Sequence, residues 1–96
     1  MKYVFHPDAL TEYAEAALYY ESQVIGLGAD FTEEIDASVE QVLVDPFRWR
    51  CVDEDVRRYL VKRFPYGLLY TIEKDHIFIL AVSHLSREPG YWKSRR

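Results

Sequence analysis

The hydrophobic period of this chain changes once, and the change falls just after Pro46. Before it, apolar residues recur every three or four positions; beyond residue 55 they crowd into short runs rich in Val, Ile, Leu, Tyr and Phe. In "PDALTEYAEAALYYESQV", Leu10, Tyr13, Ala14, Ala17, Leu18 and Val24 form one stripe, with Glu12, Glu15 and Glu21 away from it. This pattern predicts an amphipathic helix over 7–24, and Pro7 suits its first turn because a missing N–H costs nothing there. The "IGLG" stretch punctuates the chain. A second stripe of Leu27, Phe31, Ile35, Val39, Val42 and Leu43 predicts a helix over 28–45, ended by Pro46. Joined by a tight loop, the two make an antiparallel helical hairpin.

The remaining segments read as strands. "KYVFH" (2–6) is short and β-prone, and stops at Pro7. After the connector "DPFRWRCVDED", strands are predicted over 57–64, 67–73 and 76–83, with "EKD" as a hairpin turn. In the first, Tyr59, Val61 and Arg63 share one face and Arg58, Leu60 and Lys62 the other. The last is apolar on both faces, as a central strand is. The order is β-α-α-β-β-β, an α+β fold with the helical hairpin packed on a small antiparallel-rich sheet. Leu10, Ala14, Leu18, Phe31, Ile35, Val42, Leu69 and Leu80 are the expected core. A length of 96 residues allows one domain, spanning 1–96.

Charge is divided unevenly along this domain. Residues 1–56 hold three Lys/Arg against thirteen Asp/Glu, a balance of −10; residues 57–96 hold nine against three, a balance of +6. The two give the overall −4. Acidic helices would thus cover one sheet face, while the other face and the C-terminal end carry the positive charge, which admits an anionic partner. A single cysteine, Cys51, allows no internal disulfide and fits a reducing cytoplasm. The N-terminus lacks the apolar region of a signal peptide, and no apolar run is long enough to span a bilayer. The histidines His6, His76 and His84 and Cys51 show no zinc-ligand spacing, so neither metal nor cofactor is expected.

Three stretches, "FHPDALTEYAEAALYYESQVIGLGADF", "RRYLVKRFPYGLLYTIEKDHIFILAVSH" and "REPGYW", together resemble the RelE/ParE superfamily of bacterial type II toxins, often labelled plasmid stabilisation proteins. The likeness runs from Phe5 to Trp92, in the same order as that fold. It implies a cytoplasmic, growth-inhibiting toxin silenced by a cognate antitoxin whose extended, partly helical tail wraps it; a heterotetramer with the antitoxin is one assembly it allows. Two mechanisms come with the resemblance. RelE-like members cut mRNA at the ribosome, usually without a metal. ParE-like members bind DNA gyrase and trap it on cleaved DNA. A third reading, from a different class, is a degenerate member serving only as a binding module.

Metal-independent RNA cleavage needs an acceptor for the 2′-OH proton, cations around the phosphorane and a donor for the leaving 5′-oxygen. Arg58, His84, Arg87 and Tyr91 are the candidate catalytic residues, the last three carried over from the C-terminal region that contributes to the site in nuclease members. Lys62, Arg63 and Lys93 are the candidate RNA-binding cations. Arg87, Tyr91 and Trp92 are the candidate antitoxin contacts. Plainer roles compete with each: a strand-end histidine bonding its neighbours, an aromatic clasp over the sheet, a charged strand edge resisting aggregation. The resemblance also places Gly67 where several nuclease members carry a catalytic arginine. Arg58 or Arg87 must then replace it, or the branch does not cut RNA.

Overall fold

Pro7 does start the first helix. In the computed structural model, which describes residues 1–96, strand β1 (Lys2–Phe5) leads into helix α1 (Pro7–Gln23) and helix α2 (Leu27–Val44). Strands β2 (Cys51–Asp53), β3 (Val56–Leu60), β4 (Tyr66–Ile72) and β5 (His76–His84) follow, and a single 3₁₀ turn (Lys93–Arg95) lies near the C-terminus. His6 caps α1: it has the extended backbone expected before proline, and its Nδ1 accepts from the Asp8 amide at 3.0 Å. Gly26, at φ 91°, makes the left-handed step between the helices. Gly28 permits their close approach, since a Cβ there would lie 2.6 Å from the Ala17 carbonyl oxygen. The Glu21 carboxylate ties the turn by accepting from the amides of Gly26 and Gly28.

The five strands form one sheet in the order β1-β5-β4-β3-β2. All pairs are antiparallel except β1–β5, which is parallel. Strand β5, apolar on both faces, is interior as expected, paired on both edges by β1 and β4, while the middle place in the order belongs to β4. Both helices cover one face, where Phe31, Ile35, Val39 and Val42 of α2 meet Tyr59, Leu68, Tyr70, Ile77, Ile79 and Val82. A second, smaller core lies among Val56, Leu69, Leu80, Ala81 and Trp92. The pairing of β4 with β5 skips Leu80, opposing Leu69 to Ala81 and Tyr70 to Ile79. This bulge turns both Leu80 and Ala81 towards the face opposite the helices. No helix is long and apolar enough to cross a membrane.

Three expectations change. Leu10 and Leu18 are 52% and 71% exposed, and Ala14 is exposed too; α1 instead buries Ala9 and Ala16 and leans Tyr13, Ala17 and Tyr20 on the core. Small alanines let the helix axis approach β5 closely, and the two tyrosines fill the flanks, so the narrower face wins over the leucines. Strand β3 stops at Leu60 rather than Phe64, because residues 61–65 double back and put Phe64 against Tyr20 (4.8 Å) and Phe31 (5.2 Å). The connector also contains β2, an edge strand with no clear alternation. Phe31, Ile35, Val42, Leu69 and Leu80 are buried as anticipated.

Two measurements test this packing. Leu18→Ser should shift the urea stability by less than about 0.5 kcal/mol, whereas Ala16→Leu should cost about 1–3 kcal/mol by overpacking; the reverse order would contradict the assignment of faces. Burial, above all, pushes the phenols of Tyr13, Tyr66 and Tyr70 up to about 12, and Tyr13 also donates to Asp36. A raised folded pKa favours the protonated phenol, so its contribution is whole below the unfolded value of about 10 and is lost as pH rises towards 12. Urea midpoints should therefore fall steadily above about pH 10 and be insensitive to these groups below it.

Candidate functional site

Arg58 leaves β3 on the face opposite the helices, opposite Leu69 and beside Gly67. Its aliphatic stem lies flat over that glycine: a Cβ at Gly67 would sit 3.3 Å from both Arg58 Cγ and Cδ. The missing side chain thus makes room for a cation from the neighbouring strand. Beyond it opens a concavity of about 360 Å³. Its floor is sheet (Arg58, Gly67, Leu69, Ser83), and its far wall is the segment after β5, from Leu85 to Lys93. Arg58, Arg87 and Lys93 supply positive charge there, and Asp53 and Glu88 supply carboxylates. Lys93 lies 3.9 Å from Asp53, while Arg58, Arg87 and Glu88 have no ion-pair partner.

His84 stands on the rim. It pairs with Tyr66 across β4–β5, and its ring packs edge-on against that ring at 5.1 Å, on the helix side of the sheet. It borders both the concavity and a second groove with Glu12, Glu15, Tyr19 and Tyr66. The Ser86 amide donates to His84 Nδ1 at 3.0 Å, and the Ser86 hydroxyl lies 2.7 Å from it. That amide assigns the neutral ring's proton to Nε2. As placed, His84 offers a hydrogen-bond donor rather than a proton acceptor.

The other sequence candidates separate. Arg87 borders the concavity, with its guanidinium 3.8 Å over the Tyr91 ring. Tyr91 does not line the concavity; its hydroxyl donates to Glu12 Oε2 of α1 at 2.7 Å, and burial foremost, with that bond, pushes its pKa up. Trp92 is 6% exposed and packs beneath the segment as part of the second core, so it is not an open aromatic contact. Arg63 turns towards the helices, 3.8 Å from Asp30, because the chain reverses after β3. Lys62 is exposed on that reversal and does not line the concavity. Of the proposed cations, Arg58, Arg87 and Lys93 come together; Lys62 and Arg63 do not.

Two residues that periodicity had no means of marking hold the far wall in place. Arg95 binds Glu12 through two bonds of 3.0 and 2.9 Å and donates to the Leu80 carbonyl at 2.9 Å; the same carboxylate accepts from the Val82 amide at 3.0 Å. These side chains are only 12% and 14% exposed. The pair brackets the bulge, where β1 has already ended and β5 would expose an unmatched carbonyl and amide. Glu12 reads as a solvated helix residue by spacing, and Arg95 as one more basic residue in a charged terminus. No cluster of three His, Cys, Asp or Glu side chains is placed to hold a metal ion.

Against known proteins, residues 3–89 match the family model described as ParE toxin of type II toxin-antitoxin system, parDE. No curated protein matches the chain. Among solved structures it is similar to a chain of the chromosomal ParDE toxin–antitoxin system from P. aeruginosa, with a TM-score of 0.76 and 16% identity, covering 88% of this chain and 95% of that one. At that identity the likeness concerns the fold.

Arg95→Met should destabilise the protein by roughly 3 kcal/mol, because it strands a mostly buried carboxylate. Arg96 pairs with Asp55 at the surface, and Arg96→Met should leave stability almost unchanged. Equilibrium urea unfolding of the two variants checks the contrast.

Proposed function

This chain belongs to the ParE toxin family of type II toxin–antitoxin systems, and we propose that its concavity grips the phosphodiester backbone of mRNA and cuts it without a metal. The observation that carries this reading is that Arg58 and Arg87 face one concavity, with Lys93 beside them. Guanidinium groups match phosphate oxygens bidentately and stabilise the extra charge of a phosphorane. The reaction they would serve is attack by the 2′-oxygen on phosphorus. The P–O5′ bond breaks, leaving a 2′,3′-cyclic phosphate and a 5′-hydroxyl. Glu88, the unpaired carboxylate on the wall, is the group suited to take the 2′-OH proton. His84 Nε2–H is suited to hydrogen-bond a phosphate oxygen or the departing 5′-oxygen, and a solvent proton completes the 5′-hydroxyl. Arg58, whose stem lies over Gly67, is in this reading the residue that serves in place of the arginine that nuclease members carry there.

A cognate antitoxin silences the protein, in this reading, by covering the concavity with an acidic segment. Arg87 and Arg58 are the contacts such a segment would find; buried Trp92 is not, and Tyr91 contributes only its outer edge. Attraction of this kind steers association and weakens as salt screens it. A second reading, protein contact with DNA gyrase, has its own support. Leu10, Ala14 and Leu18 make an exposed apolar ridge along α1 that the core does not need.

The deciding experiment incubates purified protein with labelled single-stranded RNA in a chelator. The expected products end in a 2′,3′-cyclic phosphate. Arg87→Gln and Arg58→Gln should each slow cleavage about 100-fold or more, and the product of the adjacent antitoxin gene should stop it. Intact RNA on and off the ribosome, with DNA-damage signalling on induction in cells, would reject cleavage in favour of the gyrase reading.

A further inference from the structure

One of the concavity's cations is held by contacts that lead back to helix α1. Arg87 lies in an exposed turn and has no carboxylate partner. Its guanidinium is instead stacked at 3.8 Å over the Tyr91 ring. That ring is fixed by its hydroxyl, which donates to Glu12 Oε2 at 2.7 Å. A second guanidinium, Arg95, also lies over the ring at 5.0 Å. Two cations sharing one ring repel each other, and the Glu12 carboxylate, bonded twice to Arg95, offsets that repulsion.

Resting on the phosphate-binding reading above, we propose that Glu12 is a positioning residue: through Tyr91 and Arg95 it holds the Arg87 guanidinium at the concavity. Glu12 does not line the concavity; it and Arg87 both border the second groove, on the helix side, where no ion pair joins them. With the Glu12 charge removed, Arg95 keeps only the more exposed Asp8, at 3.8 Å, as a counter-ion, the Tyr91 ring loses its anchor, and Arg87 swings into solvent. The fold would pass such a change on because Tyr91 and Arg95 both meet α1 at the Glu12 carboxylate, with only the longer Arg95–Asp8 ion pair of 3.8 Å beside it.

The test combines a spectroscopic signature with binding. A guanidinium stacked on a phenol ring has its side-chain protons shifted upfield by the ring current, so the Arg87 Nε–H resonance reports the contact without any ligand. Glu12→Gln should move that resonance towards the free-arginine position, and Tyr91→Phe, which keeps the ring but not its anchor, should move it partway. The binding arm uses an uncleavable 2′-O-methyl oligonucleotide. Arg87→Gln should weaken it and flatten the salt dependence by one phosphate contact, a change in log–log slope of about 0.7. Glu12→Gln should reproduce that flattening, and the double variant should be no worse than Arg87→Gln alone. Additive losses in the double variant, or an Arg87 resonance unmoved in both Glu12→Gln and Tyr91→Phe, would overturn the positioning role. If Glu12→Gln fails to fold, Tyr91→Phe carries both arms. A wild type that binds no oligonucleotide, while Arg87 still responds to the Glu12 and Tyr91 substitutions, removes the RNA reading and leaves the positioning role standing.

Discussion

The Glu12–Arg95 pair is the constraint on which the open side of this protein depends. Strand β1 ends at Phe5 because Pro7 must begin a helix, so β5 outruns its parallel neighbour. At that point the Leu80 bulge further disturbs the backbone pairing. A carbonyl and an amide are left facing nothing, and one carboxylate and one guanidinium satisfy both while pairing with each other. Because Arg95 belongs to the chain's last turn, the pair also fixes the segment that crosses the sheet. Trp92 is thereby pressed onto Val56, Leu69, Leu80 and Ala81. An ion pair of this burial costs desolvation, and its justification here is the three hydrogen-bond partners it serves together, the Leu80 carbonyl, the Val82 amide and the Tyr91 hydroxyl, rather than its own attraction.

Much of the fold was legible because period and punctuation agreed. Pro7, the "IGLG" turn and Pro46 bound the helices to within two residues, and the doubly apolar 76–83 run marks an interior strand, paired on both edges. The errors share a cause. Leu10, Ala14 and Leu18 have helical spacing and the right chemistry, but so do Ala9, Tyr13, Ala16, Ala17 and Tyr20. Hydrophobicity ranks leucine over alanine, whereas packing against a sheet also rewards a small contact face with large flanks. Likewise 61–64 has strand composition, but Pro65 and the attraction of Phe64 to the Tyr20–Phe31 cluster bend it away. The parallel β1–β5 pairing has no local signature at all.

The site was legible to the extent that it is local. His84 and Arg87 lie within four residues, and Arg58 follows from strand alternation and the likeness to a known family. The concavity itself was not, because its floor and wall come from strands and a tail brought together only by the fold. Glu12 and Arg95 are 83 residues apart, and each resembles an ordinary surface charge in sequence. In sequence, Tyr91 and Trp92 admit two roles alike, antitoxin contact or a clasp over the sheet. The structure separates them: one anchors a guanidinium, the other fills a core. Adjacent residues on an irregular segment point in different directions, and no periodicity fixes which.

The division of charge along the chain takes on a different meaning once the partners are known. The ion pairs of Arg63, Lys93 and Arg96 reach Asp30, Asp53 and Asp55, and Arg95 reaches both Glu12 and Asp8, all carboxylates from the acidic half. Arg57 is spent on the carbonyls of Phe47 and Trp49, where it ties the connector to β3. Much of the apparent basic surface is therefore internal stitching between two oppositely charged halves of one domain. What remains without a carboxylate is Arg58, Lys62, Lys74 and Arg87, and only Arg58 and Arg87 share a concavity. A net +6 distributed over a sheet would attract any polyanion diffusely. In the proposed reading, two unpaired guanidiniums above a glycine-cleared floor make a smaller and more directional site, one suited to a ligand presenting bidentate oxygens rather than mere negative charge.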